Sequence, residues 1–291
     1  MDLAVLSDIH GNYIALEKCV EYALSRGVKS FAFLGDYVGE LAYPEKTMKI
    51  IFEMAEKYDC YFIKGNKEDY WIDYYNNGEL GWKDKDSTTG SLLYTYQHLV
   101  EKDLNFFKGL PISKKISIKN MPSFTICHGS PYAANQKLVP DNDKIFETLN
   151  AVDTSMIICG HTHIQAKFDI NGKTVLNAGS VGVPLYSNRK SQFLILHQID
   201  KQWKEEFISM EYDVEKVIEE LHLSGLNKHA PYWCIMTENL LRNGNIPHSA
   251  ALKRAMALCN AETGTCIWPD IPEKYWRQAV EDILVSKQMK V

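Results

Sequence analysis

Within the first 66 residues, apolar runs of strand length alternate with stretches of helical period, and few folds use that order. Leu3-Ala4-Val5-Leu6 is a short apolar run. Tyr13 to Arg26 then places Ile14, Leu16, Val20, Ala23 and Leu24 at helical spacing before Gly27, a natural stop. Ser30-Phe31-Ala32-Phe33-Leu34 follows, then a second helical pattern from Pro44 to about Tyr58, then Cys60-Tyr61-Phe62-Ile63. Proline at the head of the second helix fits the first turn, where its missing N–H costs nothing. Strand, helix, strand, helix, strand is the order of βαβ units, which requires a sheet with parallel strands.

Residues 67 to 110 read as mostly helical, rich in Tyr and Trp, and broken by a polar stretch from Asn76 to Gly90. Strand patterns return at Lys115–Ile118 and Phe124–Cys127, around a turn at Asn120-Met121-Pro122, and again at Met156–Cys159 after a short helical segment near Ile145–Leu149. Asn171-Gly172 is a strong hairpin signal, because both positions of a tight primed turn need positive φ. Two further strands, Phe193–Ile199 and Trp203–Ile208, close the β-rich part. From Asp213 the pattern becomes helical, over 214–223, roughly 232–243, 249–260 and 273–287, punctuated by Pro231, Pro247, Pro269 and Pro272. The sequence therefore predicts an α/β catalytic body over residues 1–212 and a helical C-terminal extension over 213–291 packed on it.

Five of the apolar runs end in side chains that bind metals. Asp8 and His10 follow the first, Asp36 the second, Asn66 the third, His128 the run at 124–127, and His161 with His163 the run at 156–159. In an extended chain residues i and i+2 point the same way, so Asp8 and His10 are expected to converge. In open α/β sheets ligands bind at the carboxyl ends of strands, which lets all seven residues gather on one rim. Their oxygen and nitrogen donors, with no thiolate, argue against a structural zinc site and suit Mn, Fe, Zn, Co or Ni. Seven ligands are more than one ion takes from protein, whereas two ions about 3.5–4 Å apart that share a carboxylate use them well.

Asp8-x-His10, Gly35-Asp36, Gly65-Asn66, His128 and Gly160-His161-Thr162-His163 resemble, in order and spacing, the calcineurin-like metallophosphoesterase superfamily. The short Leu-Ser-Asp-Ile-His-Gly-Asn form of the first motif and Asn177-Ala178-Gly179-Ser180 are most similar to its small bacterial and archaeal phosphodiesterase branch. The resemblance implies a four-layer α/β/β/α sandwich and a dinuclear centre. Asp8, His10, Asp36 and His163 would hold one divalent ion, and Asp36, Asn66, His128 and His161 the other, with Asp36 as the bridge. Asp36, Asn66, His128 and Lys67 then become the candidate catalytic residues. The implied reaction is hydrolysis of a phosphodiester or phosphoanhydride without a covalent intermediate. Its nucleophile is a metal-bridging hydroxide, because metal binding lowers the pKa of water from about 15.7 to about 7. Backbone N–H groups around Gly179-Ser180 are candidates to neutralise developing charge.

One position departs from the family. Many members carry His directly after the Asn, as general acid; here it is Lys67, followed by Glu68. A lysine near its ordinary pKa of about 10.4 is a poor acid at neutral pH. Lys67 therefore reads as a phosphate clamp, as an acid with a lowered pKa, or as an exposed helix residue. Segments Glu211–Val214 and Pro231–Gly244 are similar to the tail of the asymmetric diadenosine tetraphosphate hydrolase type, which suggests a dinucleoside polyphosphate substrate. Tyr37, Tyr70, Trp71 and Tyr132 are candidates to stack on a base, with ordinary packing as the competing reading. Two other outcomes remain on this fold: a non-catalytic protein-interaction scaffold, as in a retromer subunit, and a protein phosphatase.

Composition bounds the partners. A net charge of −5 lacks the basic excess of a nucleic-acid binder and leaves a small phosphorylated substrate, such as a nucleotide, as the expected ligand. No apolar run reaches about 18 residues, so no membrane span is expected. The seven cysteines, among them Cys19, Cys60, Cys127 and Cys159 inside apolar runs, fit reduced buried thiols and a cytoplasmic setting.

Overall fold

The computed structural model describes residues 2–141 and 145–288. Two five-stranded sheets lie face to face, with helices on their outer sides. In the first, β1 (Leu3–Leu6), β2 (Ser30–Phe33) and β3 (Asp59–Phe62) run parallel, and β9 (Ser191–Ile199) and β10 (Gln202–Met210) add an antiparallel ribbon, giving the order β10-β9-β1-β2-β3. In the second, β5 (Phe124–Cys127), β6 (Met156–Cys159) and β8 (Lys173–Ala178) run parallel between the antiparallel edges β4 (Ser113–Ile116) and β7 (Gln165–Ile170).

The period-two alternation of side chains along a strand assigns each strand residue to a layer. Leu3, Val5, Ala32, Leu34 and Ile63 face Phe124, Ile126, Ile158 and Leu176 between the sheets. Ala4, Leu6, Phe31 and Phe33 turn outward onto α1 (Tyr13–Ser25), α2 (Pro44–Lys57), α3 (Asn66–Asn76) and α5 (Glu101–Gly109), through Leu16, Ile51, Trp71 and Phe107. On the far side, Cys127, Ile157 and Val175 pack against Ile145 and Leu149 of α6 (Ile145–Asn150). The result is the four-layer α/β/β/α sandwich.

Most element boundaries fall where patterning puts them, with two differences. The strand expected over Lys115–Ile118 is Ser113–Ile116, paired from Ser113↔Cys127 to Ile116↔Phe124. Ile118 is instead drawn into the turn, its carbonyl accepting from the Met121 N–H at 3.0 Å. A short helix α8 (Leu226–His229), which patterning did not anticipate, separates α7 (Val214–Leu223) from α9 (Pro231–Asn243); α10 (His248–Thr263) and α11 (Glu273–Gln288) follow, and α4 (Gly90–Gln97) lies between α3 and α5.

The C-terminal helices pack in two ways. Val217, Leu221, Leu240 and Leu241 join Ile14, Leu41, Tyr94, Val183 and Leu185 of the body in one buried cluster. Met236, Ala251, Ala255, Trp276 and Ala279 form a second cluster of their own, which the buried Trp276 ties to the body by an Nε1–H bond of 2.8 Å to Thr88 Oγ1. All seven cysteines are free. No helix among the described residues is long and apolar enough to cross a membrane.

Candidate metal centre

The seven candidate ligands follow strands of the two sheets, and the structure brings five of them, Asp8, His10, Asp36, His128 and His163, together. Asp8 and His10 lie beyond β1, Asp36 beyond β2, Asn66 at the first turn of α3, His128 directly after β5, and His161 and His163 beyond β6. The local backbone differs from the extended geometry expected of Asp-x-His. Asp8, His10, Asp36, His161 and His163 all have positive φ, between 51° and 65°. Non-glycine residues rarely adopt this left-handed conformation, Asp and His less rarely than most. Strain of that kind persists only where surrounding contacts hold it, and here they do. The Asp8, His10 and Gly11 N–H groups donate to the carbonyls of Gly35, Asp36 and Tyr37 at 3.2, 2.9 and 3.0 Å. The post-β1 and post-β2 loops thus run alongside each other as a ladder.

Glycines permit the close approach of these loops. A Cβ on Gly160 would stand 1.9 Å from Ser7 Oγ and 2.4 Å from Asp8 Oδ2, and one on Gly65 would stand 2.2 Å from Asp36 Oδ1. Asn12 caps α1 by accepting from the Ala15 N–H at 3.0 Å and ties that turn to Gly182, whose carbonyl accepts from Asn12 Nδ2 at 2.9 Å. Asn177 in β8 and Ser180 just beyond it brace the centre. Asn177 Nδ2 donates to the Gly160 carbonyl at 2.6 Å, and Ser180 Oγ donates to the Asp8 carbonyl at 2.8 Å. The Gly179 N–H, a candidate for charge neutralisation, is already bonded to Asn177 Oδ1 at 3.0 Å.

Five of the ligands turn one polar atom to a protein partner and another to the centre. Asp8 Oδ2 accepts from Ser7 Oγ at 2.6 Å and from the His161 N–H at 2.9 Å, while Asp8 Oδ1 faces inward. Asp36 Oδ1 accepts from the Lys67 N–H at 2.8 Å, leaving Oδ2 within 3.6 Å of His10 Nε2 and 3.4 Å of His128 Nε2. His128 Nδ1–H donates to the Leu34 carbonyl at 2.7 Å and His163 Nδ1–H to the Val183 carbonyl at 3.0 Å. His10 Nδ1 contacts the Glu40 carboxylate. A carbonyl or carboxylate on Nδ1 fixes the proton there and leaves Nε2 as the donor atom for a metal.

These inward atoms fit a cation. Asp8 Oδ1, Asn66 Oδ1 and His128 Nε2 are buried without a hydrogen-bond partner, and a buried acceptor left so is costly. Nε2 of His10 and Nε2 of His163 lie 3.2 Å apart, a spacing that a shared proton satisfies and that also lets both nitrogens turn to one cation. Asp8, His10 and His163 form one group of donor atoms within 4.8 Å of each other, and Asp8, Asp36 and His128 a second. Asp8 Oδ1 belongs to both, at 3.0 Å from His163 Nε2, 3.7 Å from His10 Nε2 and 3.8 Å from His128 Nε2. Asp8 is therefore as central as Asp36. His161 contributes its backbone to Asp8 and sets its ring edge-on to His128, with centroids 5.1 Å apart.

The electrostatics agree. Burial alone would push His10 and His128 down, but Glu40, Asp8 and Asp36 around the first, and Asp36 and Asp8 around the second, hold them up at about 10 and about 9. Burial would push Asp36 up, yet His128 and His10 hold it at about 2. Asp8 is likewise held well below the usual carboxylate range, His128 and His163 outweighing its burial. Such a centre strongly favours positive charge. His161 is the exception: burial and His128 push it down to about 4, so it stays a neutral donor.

Lys67 is not an exposed helix residue. Its side chain is 14% exposed, and Nζ pairs with Glu40 Oε1 at 2.5 Å. Burial pushes its pKa down, but Glu40 outweighs that and the net direction is up, against a lowered-pKa acid. Of the aromatic candidates, Tyr37 and Trp71 are internal, bonded to the Ile63 and Leu92 carbonyls at 2.8 and 3.1 Å. Tyr70 and Tyr132 are exposed.

Sequence patterning missed three residues here: Glu40, Glu68 and His248. Glu68 accepts from the Gly65, Asp36 and Tyr37 N–H groups at 2.7, 3.0 and 2.9 Å and so locks the post-β2 loop to the start of α3. A Glu three residues after Gly65 is a capping-box signal that could have found it. Glu40 and His248 carry no local signal.

A sandwich of two sheets whose parallel strands converge on an Asp/His/Asn cluster defines the class of metallophosphoesterases. Residues 1–201 match the calcineurin-like phosphoesterase superfamily domain, so the chain belongs to that superfamily and is a metal-dependent phosphoester hydrolase. It is 27% identical over 255 residues to an uncharacterised protein of Methanocaldococcus jannaschii, covering 79% of this chain and 94% of that one. Two solved structures share the fold at 21% identity: a hypothetical protein of Pyrococcus horikoshii (TM-score 0.69) and a metallophosphoesterase from Sphaerobacter thermophilus (TM-score 0.64). Each covers 84% of this chain and 99% of its own.

Proposed function

We propose that the chain hydrolyses a phosphodiester or phosphoanhydride, with two divalent ions held by the seven candidate residues. Asp8, His10, Asp36 and His163 would hold one, and Asp36, Asn66, His128 and His161 the other. The observation that carries this reading is the division of labour within Asp8, Asp36, His10, His128 and His163: one polar atom of each meets protein, while Asp8 Oδ1 and His128 Nε2, like Asn66 Oδ1, are buried without a protein hydrogen-bond partner. When bound, the ions supply Lewis acidity and lower the pKa of water at the site. The mixed oxygen and nitrogen donors suit Mn, Fe, Zn, Co or Ni.

The chain's own residues narrow the substrate. Lys67 replaces the usual His and is paired with Glu40, so a leaving group receives little proton assistance from it. A phosphoanhydride or an aryl ester tolerates that better than an alkyl phosphomonoester. The tail resemblance and the exposed Tyr70 beside Lys67 support a dinucleoside polyphosphate, whose base can stack on an aromatic ring. The test is a panel of bis-p-nitrophenyl phosphate, p-nitrophenyl phosphate and diadenosine tetraphosphate, each assayed with Mn, Co, Fe, Ni and Zn. Metal-dependent turnover of the diester and the tetraphosphate, with the monoester slower, is expected. A preference for the monoester with every metal would overturn the substrate reading.

A further inference from the structure

Glu40 is a buried carboxylate, 4% exposed, in the loop between β2 and α2. Buried acids persist where they are paired, because an uncompensated buried charge costs several kcal/mol. Glu40 has two partners and gives one oxygen to each: Oε2 meets His10 Nδ1, and Oε1 meets Lys67 Nζ at 2.5 Å. It stands on the side of the His10 ring opposite the inward-facing Nε2, and so is not itself one of the clustered ligands. Lys67 is further enclosed by the rings of Tyr70 and Trp233, each centred 5.7 Å from Nζ. Trp233 belongs to α9 and stacks on His248 of α10, with ring centroids 4.5 Å apart and planes within 17°. His248 Nε2 is held by Thr237 Oγ1 at 2.7 Å. The helical extension thereby roofs the Glu40–Lys67 pair.

We infer that Glu40 is a positioning residue that couples the metal centre to Lys67. Through His10 Nδ1–H it fixes the tautomer and ring plane that aim Nε2 at one ion, as outer carboxylates do for metal-bound histidines. Through Lys67 it holds an ammonium at the edge of the centre, with two N–H groups left to meet an incoming phosphoryl oxygen. One carboxylate thus serves metal affinity and substrate binding together. The inference rests on the two-ion reading above.

The test compares Glu40→Leu, Glu40→Gln and Lys67→Met with the wild type, by Mn2+ titration calorimetry on metal-stripped protein and by steady-state kinetics on bis-p-nitrophenyl phosphate. Leucine serves neither partner. Glu40→Leu is expected to weaken one of two Mn2+ equivalents by about 10- to 100-fold, the range seen when an outer partner of a metal ligand is lost, and to raise KM. Lys67→Met should raise KM while leaving Mn2+ affinity unchanged. Glutamine has one acceptor oxygen for two donors, so Glu40→Gln keeps one link and should show one of the two defects without the other. Wild-type uptake of two Mn2+ with unchanged affinity and KM in Glu40→Gln overturns the inference even if the leucine variant does not fold. Failure of the wild type to take up two Mn2+ overturns the two-ion reading, and the inference with it.

Discussion

Asp36 turns Oδ2 toward His10 and His128 and anchors Oδ1 on the Lys67 N–H. Asp36→Asn keeps that anchor, since an amide oxygen also accepts, and removes the charge. Activity on bis-p-nitrophenyl phosphate is expected to fall by more than about 100-fold, the upper range for losing an outer partner of a ligand; near-wild-type turnover with two metals still bound would contradict the assignment. His248 offers a test away from the ligands. Burial is the largest influence on it and pushes its pKa down to about 3. In the unfolded chain it titrates at about 6.5. Between those values the unfolded state binds the extra proton, so the contribution of His248 is present above pH 6.5 and is lost as pH falls toward 3. From pH 7 to pH 5 that loss is about 2 kcal/mol. Urea unfolding of wild type and His248→Gln at both pH values should show the variant losing less stability on acidification. Equal losses would contradict a neutral buried His248.

At the scale of elements, the site depends on how closely the strand-end loops approach. A Cβ on Gly65 would lie 2.2 Å from Asp36 Oδ1 and 2.4 Å from the Asp36 backbone nitrogen. Gly65→Ala must therefore displace the carboxylate or the start of α3. A loss of about 1–3 kcal/mol, as for overpacked cores, is expected together with weaker Mn2+ binding, read by thermal melting and calorimetry. Retention of both would mean that the two loops separate at little cost. The strands that set this spacing were legible because β1, β2, β5 and β6 are short, nearly continuous apolar runs, as parallel strands buried on both faces must be. The hairpin was equally legible: Asn171 and Gly172 take φ of 50° and 74° between Ile170 and Lys173. The start of β4 was not, because Ser113-Lys114-Lys115 has no apolar pattern and is fixed only by pairing with β5.

For the whole molecule, we propose residue 212 as the boundary between the catalytic body and a helical extension. That extension covers apolar surface of the body: Ile14, Leu41, Val183 and Leu185 are buried under Val217, Leu221 and Leu241. A chain ending at residue 212 would expose that face, and large exposed apolar patches favour association. It is expected to aggregate or to unfold at lower urea than the full chain, measured by size-exclusion chromatography and urea titration. A monomeric truncated chain with the full chain's midpoint would show that the extension contributes nothing to the body's stability. The extension also reaches the site, since Trp233, stacked on His248, lies over Lys67. No pattern in residues 213–291 announces this, because both residues sit at helix positions that look like ordinary packing.

Local patterning by itself determined the parallel strands and pointed to the seven candidate ligands, while the four-layer sandwich followed from the family those motifs resemble. Strand and helix periods are short-range properties of the chain, and a loop leaving a parallel strand must start at the same rim as its neighbours. Tertiary structure alone decided which atom of each ligand faces inward, that five of them adopt left-handed backbone, and that Asp8 is as central as Asp36. It also decided that Lys67 is a partly buried ion pair and not a freely exposed side chain. These outcomes depend on partners far away in sequence, Gly35 for Asp8, Leu34 for His128 and Val183 for His163 among them. A hydrogen bond between residues distant in the chain leaves no local pattern, so only folding could reveal it.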